Sequence, residues 1–316
     1  SSEACFTDGA LTIINGSTDG FDSRKGEHWY NPGETDDTKK TLVQLSGHIG
    51  SNQSVTLSDT EVDGDLILPK PESFKLKGVS HGAASNLEMS GSTIKGKEIK
   101  PKAPREVPEV DPPFEDDNAT AILDESNFGD LDDSEEPALP DKPVAKVLKP
   151  GAYDALIVPP GKVLELRSGT YYFKSALVLE DVVVTLKGHD EVRIFIGETM
   201  SVSNSHINPS SPDPDNRNKK PADLQLLFAD KQLVPETEEH FSTFEVSNST
   251  ISAVVVGAKL QVKLTDSEYF GAIQSSTIVA ESTQFHYDLA LEDLELRGFS
   301  KWKIRSITAL PPETKL

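Results

Sequence analysis

A six-residue pattern recurs along the chain: an apolar residue, Ser or Thr, any residue, Ser or Thr, any residue, and a second apolar residue. The copies are LSDTEV at 57–62, MSGSTI at 89–94, VSNSHI at 202–207, VSNSTI at 246–251 and LTDSEY at 264–269, with a looser copy, AESTQF, at 280–285. The starts at 246, 264 and 280 are 18 and 16 residues apart, and the starts at 57 and 89 are 32 residues apart, or twice 16. Short repeats at a regular spacing are typical of solenoids.

The geometry of the pattern predicts a bend in its middle. Its two apolar residues are five positions apart, whereas residues that face the same side of a strand are an even number of positions apart. Both apolar side chains therefore reach one core only if the chain turns between them. The third position holds residue types that tolerate a positive φ or cap their own turn. The predicted structural corners are Asp59, Gly91, Asn204, Asn248 and Asp266, with Ser282 in the looser copy.

Segments between the corners alternate apolar and polar residues, as in Leu224–Phe228 and Leu260–Leu264. This alternation is typical of strands with one buried face. Together with the repeat, it predicts an all-β fold, a single-stranded, right-handed β-helix (solenoid) whose coils stack about 4.8 Å apart. A β-sandwich with Ser-rich turns is the alternative that the pattern leaves open.

Composition divides the chain into four regions. Residues 1–100 and 151–296 are predicted to form the N-terminal and C-terminal parts of the β-helix, and residues 297–316 a basic capping tail. Residues 101–150 are predicted to be an acidic, Pro-rich insertion or linker, because residues 106–141 contain fourteen acids and no Lys or Arg. A free polyanion is expected to be disordered. If the insertion is ordered, we expect the side of its own solenoid or a neighbouring subunit to hold it.

Charge and cysteine content narrow the class of protein. The chain of 316 residues has a net charge of −21, which disfavours binding to nucleic acid or to anionic membranes. Cys5 is the single cysteine, which excludes an internal disulfide and a CxxC zinc site. Apolar runs are far shorter than the roughly 20 residues of a membrane helix, so we expect no membrane insertion. The chain starts at Ser1 without a targeting stretch, and we expect a mature or trimmed product.

Motifs for catalysis are missing from the sequence. It has no P-loop, no G-x-S-x-G elbow and no histidine spacing suited to a metal, so we predict no catalytic residues and no enzyme. His286, Tyr287 and Asp288 are adjacent, but strand alternation sends His286 and Asp288 to one side and Tyr287 to the other. We expect these three residues to help terminate the core.

Calcium is the cofactor that the sequence makes worth considering. Hard oxygen ligands are concentrated at Asp130, Asp132, Asp133 and Glu135, and a smaller group lies at Asp213 and Asp215. The first group lacks the glycine at the sixth loop position of an EF-hand. Each group also has a second interpretation, as a solvated acidic run.

Residues 297–305, RGFSKWKIR, contain four bases and no acids. The assembly candidates Arg297, Lys301, Lys303 and Arg305 are predicted to dock on the acidic segment of the same chain or of another copy. The alternative is a solvated tail whose Trp302 and Ile304 cap the end of the solenoid.

Longer segments resemble a known family. They are GTYYFKSALVLEDVVVTLKGHDEVRIFIGETMSVSNSHIN, PADLQLLF, AVVVGAKLQVKLTDSEYFGAIQ, FHYDLAL and the opening LTIINGSTDGFDSRKG. They are similar to an uncharacterised β-helical domain of bacterial surface proteins related to minor pilins and pilus-assembly-associated proteins, over about residues 9–305. The apolar N-terminal helix of pilins is missing here, and the acidic stretch is longer than the family's. The resemblance implies an extracellular or cell-surface structural or display domain without known catalytic residues.

The combined prediction is a non-enzymatic extracellular structural protein, a subunit or decoration of a bacterial surface filament or pilus-like appendage. Its expected partners are copies of itself or other appendage subunits. The alternative is a carbohydrate-binding or carbohydrate-active β-helix protein with an aromatic-lined groove, for which the candidates are Trp29, Tyr30, Tyr171, Tyr172 and Phe173. Ice binding is disfavoured, because Ser and Thr occupy corners instead of one regular T-x-T face.

Overall fold

The computed structural model describes residues 3–23, 46–68, 86–101, 104–114, 118–134, 144–187, 191–209, 220–229 and 240–293. The fold is all-β, and its 27 strands belong to one hydrogen-bonded sheet. All described strand pairings are parallel except one. Short 3₁₀ segments span Phe128–Asp130, Pro221–Asp223 and Leu289–Asp293. Within these ranges no helix has the length and apolar character needed to cross a membrane.

The strands fall into three groups along the chain. The first group is β1 (Cys5–Thr7), β2 (Ala10–Ile14), β3 (Ser17–Phe21), β4 (Ile49–Ser51), β5 (Ser54–Ser58), β6 (Glu61–Val62), β7 (Leu66–Ile67), β8 (Asn86–Ser90), β9 (Thr93–Ile94) and β10 (Glu98–Ile99). The second is β11 (Ile122–Leu123), β12 (Asp132–Asp133) and β13 (Lys146–Leu148). The third is β14 (Gly151–Val158), β15 (Val163–Leu166), β16 (Gly169–Glu180), β17 (Val183–Leu186), β18 (Val192–Ile196), β19 (Thr199–Ser203), β20 (His206–Ile207), β21 (Leu224–Phe228), β22 (Ser242–Ser247), β23 (Thr250–Val256), β24 (Leu260–Thr265), β25 (Glu268–Ser275), β26 (Thr277–Glu281) and β27 (Gln284–Asp288).

These strands form three columns, and the chain passes through all three before it returns to the first column one layer higher. From base to top, column one is β14, β16, β18, β21, β23, β25, β1, β4, β7, β10. Column two is β14, β16, β19, β22, β24, β26, β2, β5, β8. Column three is β13, β15, β17, β20, β23, β25, β27, β3, β6, β9. The longest strands, such as β16, bend from one column into the next.

The order of layers in the stack differs from the order of strands in the chain. Strands β1, β2 and β3, the first in the chain, pair directly with β25, β26 and β27, the last. The described residues between 3 and 101 therefore form an upper part, and those between 144 and 293 form a lower part beneath it. We call the boundary between β25–β27 and β1–β3 the junction.

A single row of corners connects columns two and three in every layer above the base layer of β14 and β15. Residues with positive φ of 45° to 62° follow one another in it, from base to top Asp181, Asn204, Asn248, Asp266, Ser282, Asn15, Asp59 and Gly91. The row contains the five corners expected from the pattern and the looser Ser282, together with two that the pattern missed, Asn15 and Asp181. Below Gly91, each corner N–H donates to a carbonyl oxygen of the layer above, at 2.8–3.1 Å. This ladder continues across the junction, where the Ser282 N–H donates to the Ile14 carbonyl oxygen at 2.8 Å.

Six of the eight corners are followed by Ser or Thr, the exceptions being Asp181 and Asn15, and Ser249 illustrates the structural role of this residue. Its Oγ accepts the backbone N–H of Ser205 in the layer below at 3.0 Å, and its hydroxyl donates to the carbonyl oxygen of Ser247 at 2.7 Å. Ser249 is buried, so without this hydroxyl the N–H of Ser205 would lose its hydrogen-bond acceptor in the protein interior. The same two kinds of hydrogen bond are made by Ser205, Ser267, Thr60 and Ser92.

Aliphatic and aromatic side chains form continuous rows inside the three columns. In column two, one inward row contains Leu177, Met200, Phe244, Val262, Ile278, Leu11 and Val55, all at most 3 % exposed. The top layer is different, because Leu87 and Met89 of β8 are 38 % and 42 % exposed. Met89 lies directly above the buried Leu57. Among the described residues, the inward rows therefore end at β8, where their side chains become exposed.

The acidic segment lies against its own stack. In the upper part, the guanidinium of Arg105 forms an ion pair with the buried Glu3 and lies 5.1 Å from the centre of the Phe6 ring. Val107 packs with Phe6 and Ile67. At the base, β11 pairs with β14, β12 pairs antiparallel with β13, and Phe128 joins the core. We call residues 104–134 the connector; its described part buries Val107, Val110 and Phe128 and exposes acids that include Glu106 and Asp111.

Backbone conformation at the corners can be tested at Asn248, whose φ is 45°. We expect Asn248→Ala to be less stable than Asn248→Gly by about 1–2 kcal/mol, because a left-handed backbone strains alanine but not glycine. The Gly variant is the matched control, since both substitutions remove the side-chain hydrogen bond to Asn204. Chemical denaturation measures the free energies of unfolding. Equal stability of the two variants would contradict the assigned conformation.

The buried hydroxyls can be tested within one corner. Ser249→Ala should lower the free energy of unfolding by about 1–3 kcal/mol, because it leaves the N–H of Ser205 buried without its acceptor. Ser247→Ala is the control, since Ser247 is exposed, and its effect should stay within about 0.5 kcal/mol. Thermal and chemical denaturation provide the measurement. A similar loss of unfolding free energy in both variants would refute a special role for the hydroxyl that follows the corner.

Candidate functional site

A cluster of titratable side chains lies at the junction. His286 of β27 pairs in register with Asp19 of β3 above it and with Phe270 of β25 below it. Glu268, from the start of β25, completes the group that we call the junction cluster: Asp19, Glu268, Phe270 and His286. Asp19 belongs to the upper part, whereas the other three belong to the lower part.

The imidazole of His286 lies between two carboxylates. Its Nδ1 is 2.6 Å from Asp19 Oδ1, and its Nε2 is 3.3 Å from Glu268 Oε1. The ring stacks on Phe270 with 4.6 Å between ring centres, and Phe270 meets Phe21 of β3 edge-on at 5.9 Å. The His286 side chain is 5 % exposed, whereas those of Asp19 and Glu268 are 23 % and 33 % exposed. The cluster therefore holds a nearly buried ring beneath a partly solvated acidic rim.

Two opposing effects set the charge of His286. Burial favours the neutral ring and lowers its pKa, but the hydrogen bonds and negative charges of Asp19 and Glu268 outweigh burial and raise the pKa to about 9. The ring is therefore a cation at neutral pH. A general base must be unprotonated at the working pH, so this arrangement does not favour proton abstraction by His286. It favours a structural role, in which the charged ring forms ion pairs that hold the upper and lower parts together.

The neighbours of His286 strengthen the same boundary. Asp288 is fully buried and accepts hydrogen bonds from the backbone N–H and the hydroxyl of Ser23, at 3.0 and 2.6 Å, and from the N–H of Ala290 at 3.0 Å. Ser23 belongs to the upper part, so Asp288 makes a second link across the junction. Tyr287 lies in the hydrophobic core, whereas His286 and Asp288 make polar contacts outside it. This is the split that strand alternation predicts, but the expectation that the three residues terminate the core is wrong, because β3 pairs with β27 and continues the stack.

The predicted calcium ligands are partly described. Asp132 Oδ2 is 2.7 Å from Lys149 Nζ, and Asp133 Oδ1 is 2.7 Å from Lys146 Nζ. Asp130 is exposed at the end of a 3₁₀ segment, and Glu135, Asp213 and Asp215 lie outside the described residues. In the part of the chain that the structure describes, no group of three or more His, Cys, Asp or Glu side chains is arranged to hold a metal ion. Calcium binding stays a prediction.

The other candidate residues differ in how much the structure says of them. The assembly candidates Arg297, Lys301, Lys303 and Arg305 lie outside the described residues, as do Trp29 and Tyr30. Tyr171, Tyr172 and Phe173 are at most 1 % exposed. These three aromatics are therefore buried and do not line an outer groove.

The sequence analysis missed the partners of His286. Phe270, His286 and Asp19 each lie four residues after a corner, at Asp266, Ser282 and Asn15. Aligning the copies on their corners would have assigned these three residues to one row. Asn15 escaped detection because Ile14 and Gly16 replace the Ser or Thr on either side of it.

Comparisons with protein-family models, with curated proteins and with solved structures found no match to this chain. The resemblance to a bacterial surface domain stays a prediction that rests on the quoted segments.

The charge of His286 makes stability depend on pH. Because its pKa is raised from 6.5 to about 9, the stabilisation is complete below 6.5 and is lost as the pH rises through 9. We expect a loss on the order of 3 kcal/mol over that interval. Chemical denaturation at successive pH values should show this loss in the wild type and a much smaller loss in His286→Gln.

His206→Gln is the matched control, because His206 is an exposed histidine in the same column. This variant should keep the pH dependence of the wild type. If the free energy of unfolding depended on pH in the same way in the wild type and in His286→Gln, the stabilising ion pairs of His286 would be contradicted.

Proposed function

We propose that the stacked layers form a single-stranded, right-handed β-helix, and that the protein is a non-enzymatic extracellular structural protein. In this proposal it is a subunit or decoration of a bacterial surface filament or pilus-like appendage. The observation that carries the proposal is the unbroken row of corners, which links the layers by backbone hydrogen bonds along the stack. A stack of this kind is a stiff, extended body with flat sides and two ends, which suits a scaffold.

The use of reactive side chains supports a structural role. At the junction, the side chains of His286, Asp19 and Asp288 bind one another or the backbone. Most corner hydroxyls are engaged in linking layers, as those of Ser249 and Thr60 are. These contacts give the residues a stabilising role that does not depend on a substrate.

Two surfaces favour assembly with further subunits. The upper end exposes Leu87 and Met89, which continue buried rows of the core. The connector exposes carboxylates such as Glu106, Glu109 and Asp111 along one side. A basic partner, for which residues 297–305 of another copy are the candidate, would be attracted to that side. Such attraction between exposed charges weakens as salt screens it.

Sedimentation and electron microscopy across ionic strength test the proposal. We expect the purified protein to form elongated assemblies at low salt that shorten or dissociate as salt rises. The same samples with calcium and with a chelator test the metal prediction. A monodisperse monomer under all of these conditions would defeat the proposed structural role.

A further inference from the structure

The junction joins two parts of the chain that are not covalently continuous there. It uses the same backbone pairing as other layers. Its hydrogen bonds include those from Ile273 N–H to the Ala4 carbonyl oxygen at 2.9 Å, from Ser282 N–H to the Ile14 carbonyl oxygen at 2.8 Å, and from Ser17 N–H to the Thr283 carbonyl oxygen at 3.2 Å. The upper surface of the lower part and the lower surface of the upper part are thus complementary. Nothing in this pairing requires both surfaces to come from one molecule.

One end of the connector is attached to the upper part and the other end to the lower part. Its first section, residues 104–110, is anchored to the upper part, where Arg105 binds Asn52 through its backbone N–H and carbonyl oxygen. Its last section, residues 118–134, is anchored to the lower part, where β11 and β12 pair with β14 and β13. Between these sections, Asp111, Pro112 and Pro113 are exposed. Apart from the junction, few described contacts tie the two parts together.

We propose that the junction is also an interface between copies, in which the upper part of one molecule stacks on the lower part of a second copy of this chain. Asp19 of one copy then meets His286 and Glu268 of the other, and Ser23 of one copy meets Asp288 of the other. The proposal adds the junction to the two assembly surfaces described above, and it rests on the proposed structural role for its biological meaning. We call this rearrangement exchange. Because it keeps every contact within each part, its main free-energy cost is the loss of the high effective concentration that two parts of one chain have for each other.

Two products follow from this exchange. If two copies exchange reciprocally, a closed dimer forms. If the upper part of each copy instead stacks on a second copy while its lower part accepts a third, the same interface repeats without closing, and open chains grow. Both products require the partner copy to complete the junction cluster. Protein concentration should therefore favour exchange over the closed monomer.

Disulfide trapping in the full chain tests the proposal. Ser17 and Gln284 are register partners across the junction, on neighbouring parallel strands whose spacing of about 4.8 Å suits a disulfide. The native Cys5 does not interfere, because it is buried and burial raises the pKa of its thiol. The variant Ser17→Cys with Gln284→Cys is unfolded, refolded from dilute to concentrated solution, oxidised, and resolved on non-reducing gels. We expect interchain-linked dimers and longer ladders to rise several-fold with concentration.

The matched control is Ser58→Cys with Ser90→Cys, a register pair within the upper part. It should form intrachain bonds at every concentration. If the first junction pair prevents folding, Thr12→Cys with Val279→Cys provides a second junction pair, in column two. Intrachain bonds alone in the junction pair at all concentrations, or an equal ladder in the control pair, would overturn the proposal.

The outcome separates this proposal from the structural role itself. Elongated assemblies that contain only intrachain junction disulfides would show that assembly uses another surface, so the exchange proposal fails and the role stands. Interchain junction disulfides in a protein that never forms elongated assemblies would support exchange at the junction and exclude the filament role.

Discussion

The structure depends on how the backbone N–H groups of each corner are hydrogen-bonded. Around a corner, the N–H of the third residue donates to the layer above and that of the fifth to the layer below, as Asn248 and Thr250 show. The N–H of the fourth residue donates instead to a hydroxyl, since Ser205 N–H meets Ser249 Oγ. A buried N–H without an acceptor is costly, so Ser or Thr recurs wherever this bond is made. The left-handed third residue and the hydroxyl after it keep successive strands in register, and the register aligns the apolar rows.

The same constraint shapes the surface. Because hydroxyls and corner amides link the layers and apolar residues fill the inside, the free charge lies outside the stack. The connector shows this clearly, since Val107 and Phe128 are buried while Glu106, Glu109 and Asp111 are exposed. A Pro-rich acidic segment that would be disordered alone is thus held by a few apolar anchors and by Arg105. The result is a stack with acids on its outside and with Leu87 and Met89 exposed in its uppermost described layer, which fits the proposed structural role.

Local features were predictable from the sequence, whereas long-range ones were not. The pattern identified corners such as Asp59 and Asn248 and the strands beside them, because turn conformation and alternation are encoded within six residues. It missed Asn15 and Asp181, whose flanking residues depart from Ser or Thr. It also gave no order for the layers, because every layer has the same local pattern. The partners of His286 remained hidden for that reason, since Asp19 reaches it only when the first strands stack on the last.

The central claim is that the register of the stack continues through the junction, from Ser282 to the layer that contains Asn15. Native-state hydrogen exchange of individual amides tests it most directly. The amides of Ile273, Ser282 and Ser17 should be protected to the same degree as that of Asp59, which donates to Ser90 within the upper part. Exchange of these three amides at the rate of an exposed strand edge, while Asp59 stays protected, would show that the two parts do not pair and would contradict the account.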